Sequence, residues 1–369
     1  MISWEDVYKV IEAMVPLYFA LILGYGSVKW WRIFTPEQCD AINRLVAYFT
    51  FPLFTFEFAA HIDPFQMNYR LIGADAISKV IIVVVLAFWA KFSSKEESYC
   101  WSITSFSLAT LTNSLVVGVP LAKAMYGPNA VDLVVQLSVV QAIIWLTFLL
   151  FVLELRRTHT DFYSSSCESV VANNNNHNPN TNVNEQSEKD LEENNKVVLD
   201  TINKPSFLSL MKAVWLKLAV NPNVYACVIG ITWAFVANRW HFQMPTIMDE
   251  SITILSKAGT GTAMFSMGLF MALQKKIISC GTSLTIFGMV LRFIAGPAAM
   301  AIGSIAVGLH GDVLRVAIIQ AAIPQSITSF IFAKEYGLHA DVISTAVIFG
   351  MMVSLPVLVA YYAVLEFLH

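Results

Sequence analysis

The chain has 369 residues, 56% of them hydrophobic and 13% charged, with a mean hydropathy of +0.61 and a formal net charge of −3. A soluble domain is about half apolar and about a quarter charged, so this chain lacks the charge to coat a water-facing surface and is predicted to face lipid and other apolar helices. Eight of the 26 acidic residues fall in the central segment 156–205, and no basic excess suits nucleic acid.

A helix needs about 20 mostly apolar residues to cross a bilayer. That criterion predicts spans at roughly 8–31, 40–61, 70–91, 100–121 and 132–154. The first is read as a retained helix, because its apolar run is long and no short core with a small-residue cleavage site stands there. Residues 156–205 follow, with SSSCES, NNNNHNPNTN and EKDLEENN. Such tracts cannot bury a core, so a disordered loop is expected. Next, FLSLMKAVWLKL (residues 207–218) reads as an amphipathic helix on the membrane surface. Further spans are predicted at roughly 220–239, 249–273, 282–308, 312–333 and 341–367. The expected organisation is therefore a first five-helix unit (1–155), a loop (156–205), and a second five-helix unit preceded by the amphipathic helix (206–369).

Lysine and arginine near span ends stay cytosolic. Placing the N-terminus on the non-cytosolic side puts Lys29, Arg32, Lys91, Lys95, Arg156, Arg157, Lys275, Lys276 and Lys334 in cytosolic connections. It leaves Lys9, Arg70, Lys123 and Arg239 opposite. Both termini are then non-cytosolic and the central loop cytosolic.

The halves are similar to each other. PLYFALILG from Pro16 echoes PNVYACVIG from Pro222, and LTNSLVVGVPLAKAMYG from Leu111 echoes IPQSITSFIFAKEYG from Ile323. A repeat with an odd number of spans must enter the membrane from the opposite side the second time, which is the inverted architecture of many secondary transporters. Thr112, Asn113 and Ser114 lie mid-span in the first copy, and Pro324, Gln325 and Ser326 match them in the second. Proline removes an N–H donor and disrupts the preceding turn. Broken helices at that depth occur where they are buried in protein or line a cavity. Two facing breaks with free N–H groups and partial positive charge could cradle an anion. The bland alternative is polar helix-to-helix packing.

Asp75 and Lys79, four apart on the third span, can pair on one face. They read either as a neutral register-holding pair or as a functional support site. Arg292 is expected to snorkel toward an interface, Gln141 to face either the breaks or a helix contact, and the glycines of KAGTGT from Lys257 to permit close helix approach. The cysteines are scattered, and no Walker, G-x-S-x-G or H-E-x-x-H motif occurs. No enzyme, cofactor or metal site is expected.

MISWEDVY, PLYFALILGYG, FTPEQCDAIN, FPLFTF and FAKEYGLHADVISTAVIFGM resemble the plant PIN-FORMED auxin carriers across both blocks of spans. The short loop resembles their endoplasmic-reticulum branch. The resemblance implies an all-α integral membrane fold of ten transmembrane helices. These form two inverted five-helix repeats with crossing broken helices at spans 4 and 9, divided into a dimer-forming scaffold (spans 1, 2, 6 and 7) and a transport domain. It implies transport of indole-3-acetate or a related aromatic carboxylate by a homodimer. Carried over by position, Asn113 and Gln141 correspond to pocket amides, Thr55 to a small hydroxyl, Val116 and Ile327 to apolar walls, Pro324 to the crossing proline, and Asp75 with Lys79 to the support pair. Thr112 stands where the family usually has proline. The competing expectations are a proton- or sodium-coupled carrier of another organic anion, and a non-transporting auxin-binding membrane protein.

Overall fold

Apolar runs of this length can satisfy their backbone in lipid only as helices, and helices make up the structure. A computed structural model describes residues 4–93, 98–157, 207–274 and 280–367. Helix α1 covers Trp4–Lys29. Helix α2 (Pro36–Leu45) runs through a π-turn, Val46–Thr50, into α3 (Phe51–Ala60). Helix α4 is Tyr69–Phe92. Then α5 (Ser98–Thr110) stops, and the chain resumes with a π-turn at Ser114–Gly118 and α6 (Val119–Tyr126). Helix α7 (Pro128–Val140) continues through a π-turn at Gln141–Trp145, and the whole helix reaches Arg157.

In the second half α8 is Phe207–Val220, α9 Pro222–Trp240 and α10 Thr246–Leu273. Helix α11 (Thr282–Val290) passes through a π-turn at Leu291–Ala295 into α12 (Gly296–Ala306). Helix α13 (Gly311–Ala321) stops, α14 (Ile327–Glu335) resumes, and α15 is Ala340–Phe367. Among the described residues five helices are long and apolar enough to cross a membrane: Tyr8–Lys29, Tyr69–Phe92, Pro128–Arg157, Thr282–Ala306 and Ala340–Phe367. Large apolar side chains such as Phe19, Val85, Phe88, Phe92, Ile254 and Ile305 are exposed. A soluble surface avoids that pattern, whereas a lipid-facing one adopts it.

Contacts divide the chain into two units. The smaller, Thr147–Val220, is described by the helical tail to Arg157 and by α8, whose Leu208, Trp215, Leu216 and Val220 are exposed. The predicted loop at 156–205 lies almost wholly outside the described residues. The larger unit, Met1–Leu146 with Asn221–His369, holds all the remaining helices.

Within it, glycines bring helices into backbone contact, as small residues do in bilayers. A Cβ on Gly24 would lie 2.1 Å from the Phe265 carbonyl oxygen, and one on Gly268 would lie 2.1 Å from that of Leu21, so α1 and α10 touch directly. Gly230 seats α9 on α3, and Gly303 seats α12 on α4, where a Cβ would meet the Ala74 carbonyl at 2.5 Å. Of the two glycines in KAGTGT, Gly259 packs against the Phe54 ring, while Gly261 has nothing within 4 Å. Close approach was expected of both, and Gly261 does not provide it.

Candidate functional site

The interruptions between α5 and α6 and between α13 and α14 lie side by side. Thr112 and Gln325 form an isolated antiparallel bridge. The Asn113 N–H donates to the Pro324 carbonyl at 2.9 Å, and the Ser326 N–H donates to the Leu111 carbonyl at 3.2 Å. Two unwound segments thus satisfy each other's backbone as a minimal two-strand ladder, as an apolar surrounding requires. On the second strand the break follows from Pro324. On the first, the place of a proline is taken by Thr112, and a side chain performs the missing stabilisation. Gln141 Oε1 accepts from the Thr112 N–H at 3.0 Å and from its hydroxyl at 3.1 Å, and Gln141 Nε2 donates to the Thr112 carbonyl at 2.8 Å. The amide acts as a third strand one residue long.

Side chains close the remaining polar groups around this pair. The Thr112 and Ser114 hydroxyls share a hydrogen bond, and Gln320 Nε2 donates to Ser114 Oγ. Gln325 Nε2 donates to the Ser107 carbonyl at 2.9 Å and to Ser329 Oγ at 2.8 Å. Ser326 caps α14, its hydroxyl accepting from the Thr328 N–H at 3.3 Å. Gln320 Oε1 and Gln325 Oε1 are buried without a hydrogen-bond partner.

Asp75 and Lys79 pair at 2.8 Å with both side chains 7% exposed. The Trp145 indole N–H donates to Asp75 Oδ2 at 2.9 Å, and the Lys79 ammonium lies 5.0 Å from the centre of the same ring. Trp145 and Gln141 share one π-turn, so the ion pair and the first break are gripped by a single turn of helix. A cavity of about 20 Å³ lies between them, lined by Asp75, Lys79, Thr112, Gln141 and Gln320 among others. It has room for about one water.

The structure therefore brings together Asn113, Gln141, Pro324, Asp75 and Lys79. Gln141 is engaged on the Thr112 backbone instead of presenting a free amide. Asn113 is half-buried, and among the described residues its side-chain amide has no protein partner. Val116 is buried in the apolar core with Val117, Ile319 and Ile323, and Ile327 packs against that cluster. Thr55 is buried on α3, where its hydroxyl donates to Asn223 Oδ1 on α9 at 2.6 Å, not to the breaks. Glu57, also on α3, takes the hydroxyls of Thr253 and Ser256 from α10.

Arg292 corrects the sequence expectation. It does not snorkel: its exposure is 0%, and its guanidinium faces inward. It donates to the carbonyls of Leu108 and Leu111, each at 3.2 Å, and to that of Ala321 at 2.5 Å. Charge in a span is visible in sequence, but its direction depends on which helix it faces. The signal available was the carbonyl-rich end that any break in a neighbouring helix must leave. Among the described residues no group of His, Cys, Asp and Glu could hold a metal ion.

Comparison with known proteins adds the following. The profile of the family described as "Membrane transport protein" matches residues 9–362. "Auxin efflux carrier component 5" of Arabidopsis thaliana is 70% identical over 369 residues, covering 100% of both chains. "Probable auxin efflux carrier component 5a" of Oryza sativa subsp. japonica is 64% identical over 370 residues, again covering 100% of both. "Auxin efflux carrier component 4" of Arabidopsis thaliana is 33% identical over an alignment of 615 residues that covers 99% of this chain and 100% of that one.

Proposed function

The chain belongs to the membrane transport protein family, and from that premise we propose that it carries the indole-3-acetate anion by alternating access. It is an integral multi-pass transport protein of plant type and not an enzyme. The observation that carries the reading is the antiparallel bridge between the two helix breaks in a chain 70% identical to a protein named as an auxin efflux carrier.

In this reading ten segments cross the membrane: α1, α2–α3, α4, α5–α6, α7 with its tail, α9, α10, α11–α12, α13–α14 and α15. The broken segment is fourth in each set of five, which supports an inverted repeat over 1–155 and 206–369. Helices α1, α2–α3, α9 and α10 form the scaffold and the dimer face, and the rest form the transport domain. The termini are non-cytosolic and the loop at 156–205 is cytosolic, as the lysine and arginine distribution favours. Placement in the endoplasmic reticulum is supported by the short segment between the two halves, since a relative aligned at 33% identity needs 615 positions.

The first turns beyond each break begin at Ser114 and Ile327. The Val117, Thr328 and Ser329 N–H groups are taken by the Asn113 carbonyl, the Ser326 hydroxyl and the Ser326 carbonyl, and the leading N–H groups at Ser114, Leu115, Val116 and Ile327 remain as donors. The substrate carboxylate sits against these donors and the free Asn113 amide. The indole ring takes an apolar slot at Val116 and Ile327, Gln141 and Pro324 fix the breaks, and Asp75 with Lys79 supports them. Thr55 is the scaffold's contribution to the site. A ligand of this size needs a few hundred Å³; the cavity on the Asp75–Lys79 side of the breaks holds about 20 Å³, and Val116 is buried in the apolar core. Entry in this reading has the transport domain move against the scaffold.

The test is flux of radiolabelled indole-3-acetate in proteoliposomes at clamped voltage. Saturable uptake that follows the anion gradient and is reduced at least about tenfold by Asn113→Ala with Pro324→Ala is expected. Undiminished flux in that double variant removes the site. Binding without flux removes the carrier, and flux that tracks a pH or sodium gradient indicates a coupled carrier instead.

A further inference from the structure

We propose that Arg292 supplies the net positive charge of the helix crossing: it sets the preference for an organic anion while tying the ends of both broken helices into one rigid body. This deepens the transport reading above and rests on it.

Four half-helix ends meet at the breaks. The C-terminal ends of α5 and α13 carry about −0.5 charge each, and the N-terminal ends that begin at Ser114 and Ile327 carry about +0.5 each. Antiparallel pairing sets each positive end beside a negative one, because Asn113 bonds to Pro324 and Ser326 bonds to Leu111. The ends therefore cancel. Asp75 and Lys79 also cancel, as a closed ion pair. Arg292 is left over. It is wholly buried, and among the described residues its hydrogen-bond partners are carbonyls and none is a carboxylate. Burying an unpaired charge is costly unless dipoles replace its water. Here the two negative helix ends do so, through Leu108 and Leu111 at the end of α5 and Ala321 at the end of α13. A guanidinium suits this because its fixed fork reaches carbonyls in different directions at once.

A second feature of the same helix face supports the assignment. Gly296 is one turn beyond Arg292, at i+4. A Cβ there would lie 2.6 Å from the Ala109 carbonyl oxygen and 3.5 Å from that of Ala321. The missing side chain lets both half-helix ends approach within reach of the guanidinium. The π-turn at Leu291–Ala295 contains Arg292 and immediately precedes Gly296, so one widened turn presents both the charge and the gap. With the helix ends held to a single group, the two breaks move together or not at all. The carboxylate then enters a centre that carries one uncompensated positive charge without touching Arg292, which is a positioning residue.

The experiment compares indole-3-acetate with its neutral amide, indole-3-acetamide, binding to the full-length chain in lipid nanodiscs, together with indole-3-acetate flux in proteoliposomes. The unaltered chain is expected to prefer the carboxylate at least about tenfold. Arg292→Gln is expected to reduce that preference about tenfold while leaving amide binding in place. Arg292→Lys keeps the charge but loses the fork, so the preference stays and flux slows. A merely structural role would lower both affinities together and leave their ratio alone. Equal affinity of the unaltered chain for both probes, an unchanged ratio in folded Arg292→Gln, or a lost ratio in Arg292→Lys each overturns the proposal. If Arg292→Gln does not fold, the other two arms still decide. Failure of the unaltered chain to bind either probe overturns the carrier reading and this inference with it, whereas equal binding of both overturns the inference alone.

Discussion

Gln141 and Asn113 are both amides near the breaks, yet the structure gives them opposite employment. Gln141 spends both acceptor sites of its oxygen and one of its two N–H donors on the backbone and hydroxyl of Thr112. Replacing it with leucine leaves a buried N–H and C=O unpaired, each worth about 1–3 kcal/mol. Gln141→Leu is therefore expected to destabilise the protein by roughly 2 kcal/mol or more, read as a lowered Tm of the detergent-solubilised chain. Asn113 has no protein partner for its amide among the described residues, so Asn113→Ala should change stability by less than about 1 kcal/mol while flux of indole-3-acetate falls. The same Tm measurement alongside flux separates the two. A fall in Tm for Asn113→Ala as large as for Gln141→Leu would contradict this division. From sequence both positions read alike, since a polar residue in a span signals importance but not which partner it finds. Arg292 was misread for that reason: its partners are main-chain carbonyls that exist only because two other helices stop beside it.

At the scale of elements, the helices were legible because length and apolar content decide them. Their starts were less so. The span expected from residue 40 begins at Pro36, behind Thr35, which forms a capping box with Gln38. The polar first turn carries no hydropathy signal. The π-turns went unforeseen, although among the described residues three of the four end two residues before a proline: Val46–Thr50 before Pro52, Ser114–Gly118 before Pro120, and Leu291–Ala295 before Pro297. Proline cannot donate and crowds the carbonyl four residues back, and widening the turn before it relieves both problems without ending the helix. The proline rule does not explain the break at Thr112, where the Gln141 amide holds the backbone open instead. Glycine roles separate by geometry. Gly268→Ala would drive a methyl into the Leu21 carbonyl, where a Cβ would be 2.1 Å away, and should cost about 3 kcal/mol or more. Gly261→Ala meets nothing within 4 Å and should stabilise α10 by about 0.5–1 kcal/mol. Thermal unfolding of the two variants under one condition checks the pair, and equal shifts would remove the assignment of the α1–α10 contact to backbone approach.

At the scale of the whole molecule, an internal repeat with an offset of about 210 residues was readable in the amino-acid letters, but which helices pack together was not, because sequence periodicity is silent on partners. The structure groups α1, α2–α3, α9 and α10 through the Gly24, Gly268, Gly230 and Gly259 contacts. The polar link from α1 to α15 is narrow by comparison: the Tyr18 hydroxyl donates to the Met351 carbonyl at 2.8 Å and lies 2.7 Å from Ser354 Oγ. The aromatic contact of Phe270 with Phe330, ring centres 4.6 Å apart, joins α10 to α14. Glycine seams bring backbones together within the group, whereas the group meets the other helices through side chains, a shared apolar cluster of Val10, Met14 and Leu17 with Val116, Leu121 and Val347 together with these few polar and aromatic contacts. Side-chain surfaces can slide where interlocked backbones cannot. If the helices outside the group move as one body against it, a covalent tie across this link must stop transport. Cysteines introduced at Tyr18 and Ser354 in a chain otherwise freed of cysteine, joined by a short bifunctional thiol reagent that dithiothreitol cleaves, should abolish indole-3-acetate flux, and reduction should restore it. The uncrosslinked double variant sets the baseline, which separates loss of the Tyr18 hydrogen bonds from loss of motion. Full flux through the crosslinked protein would mean that α1 and α15 keep their contact throughout the cycle, and the boundary between fixed and moving helices would then have to lie elsewhere.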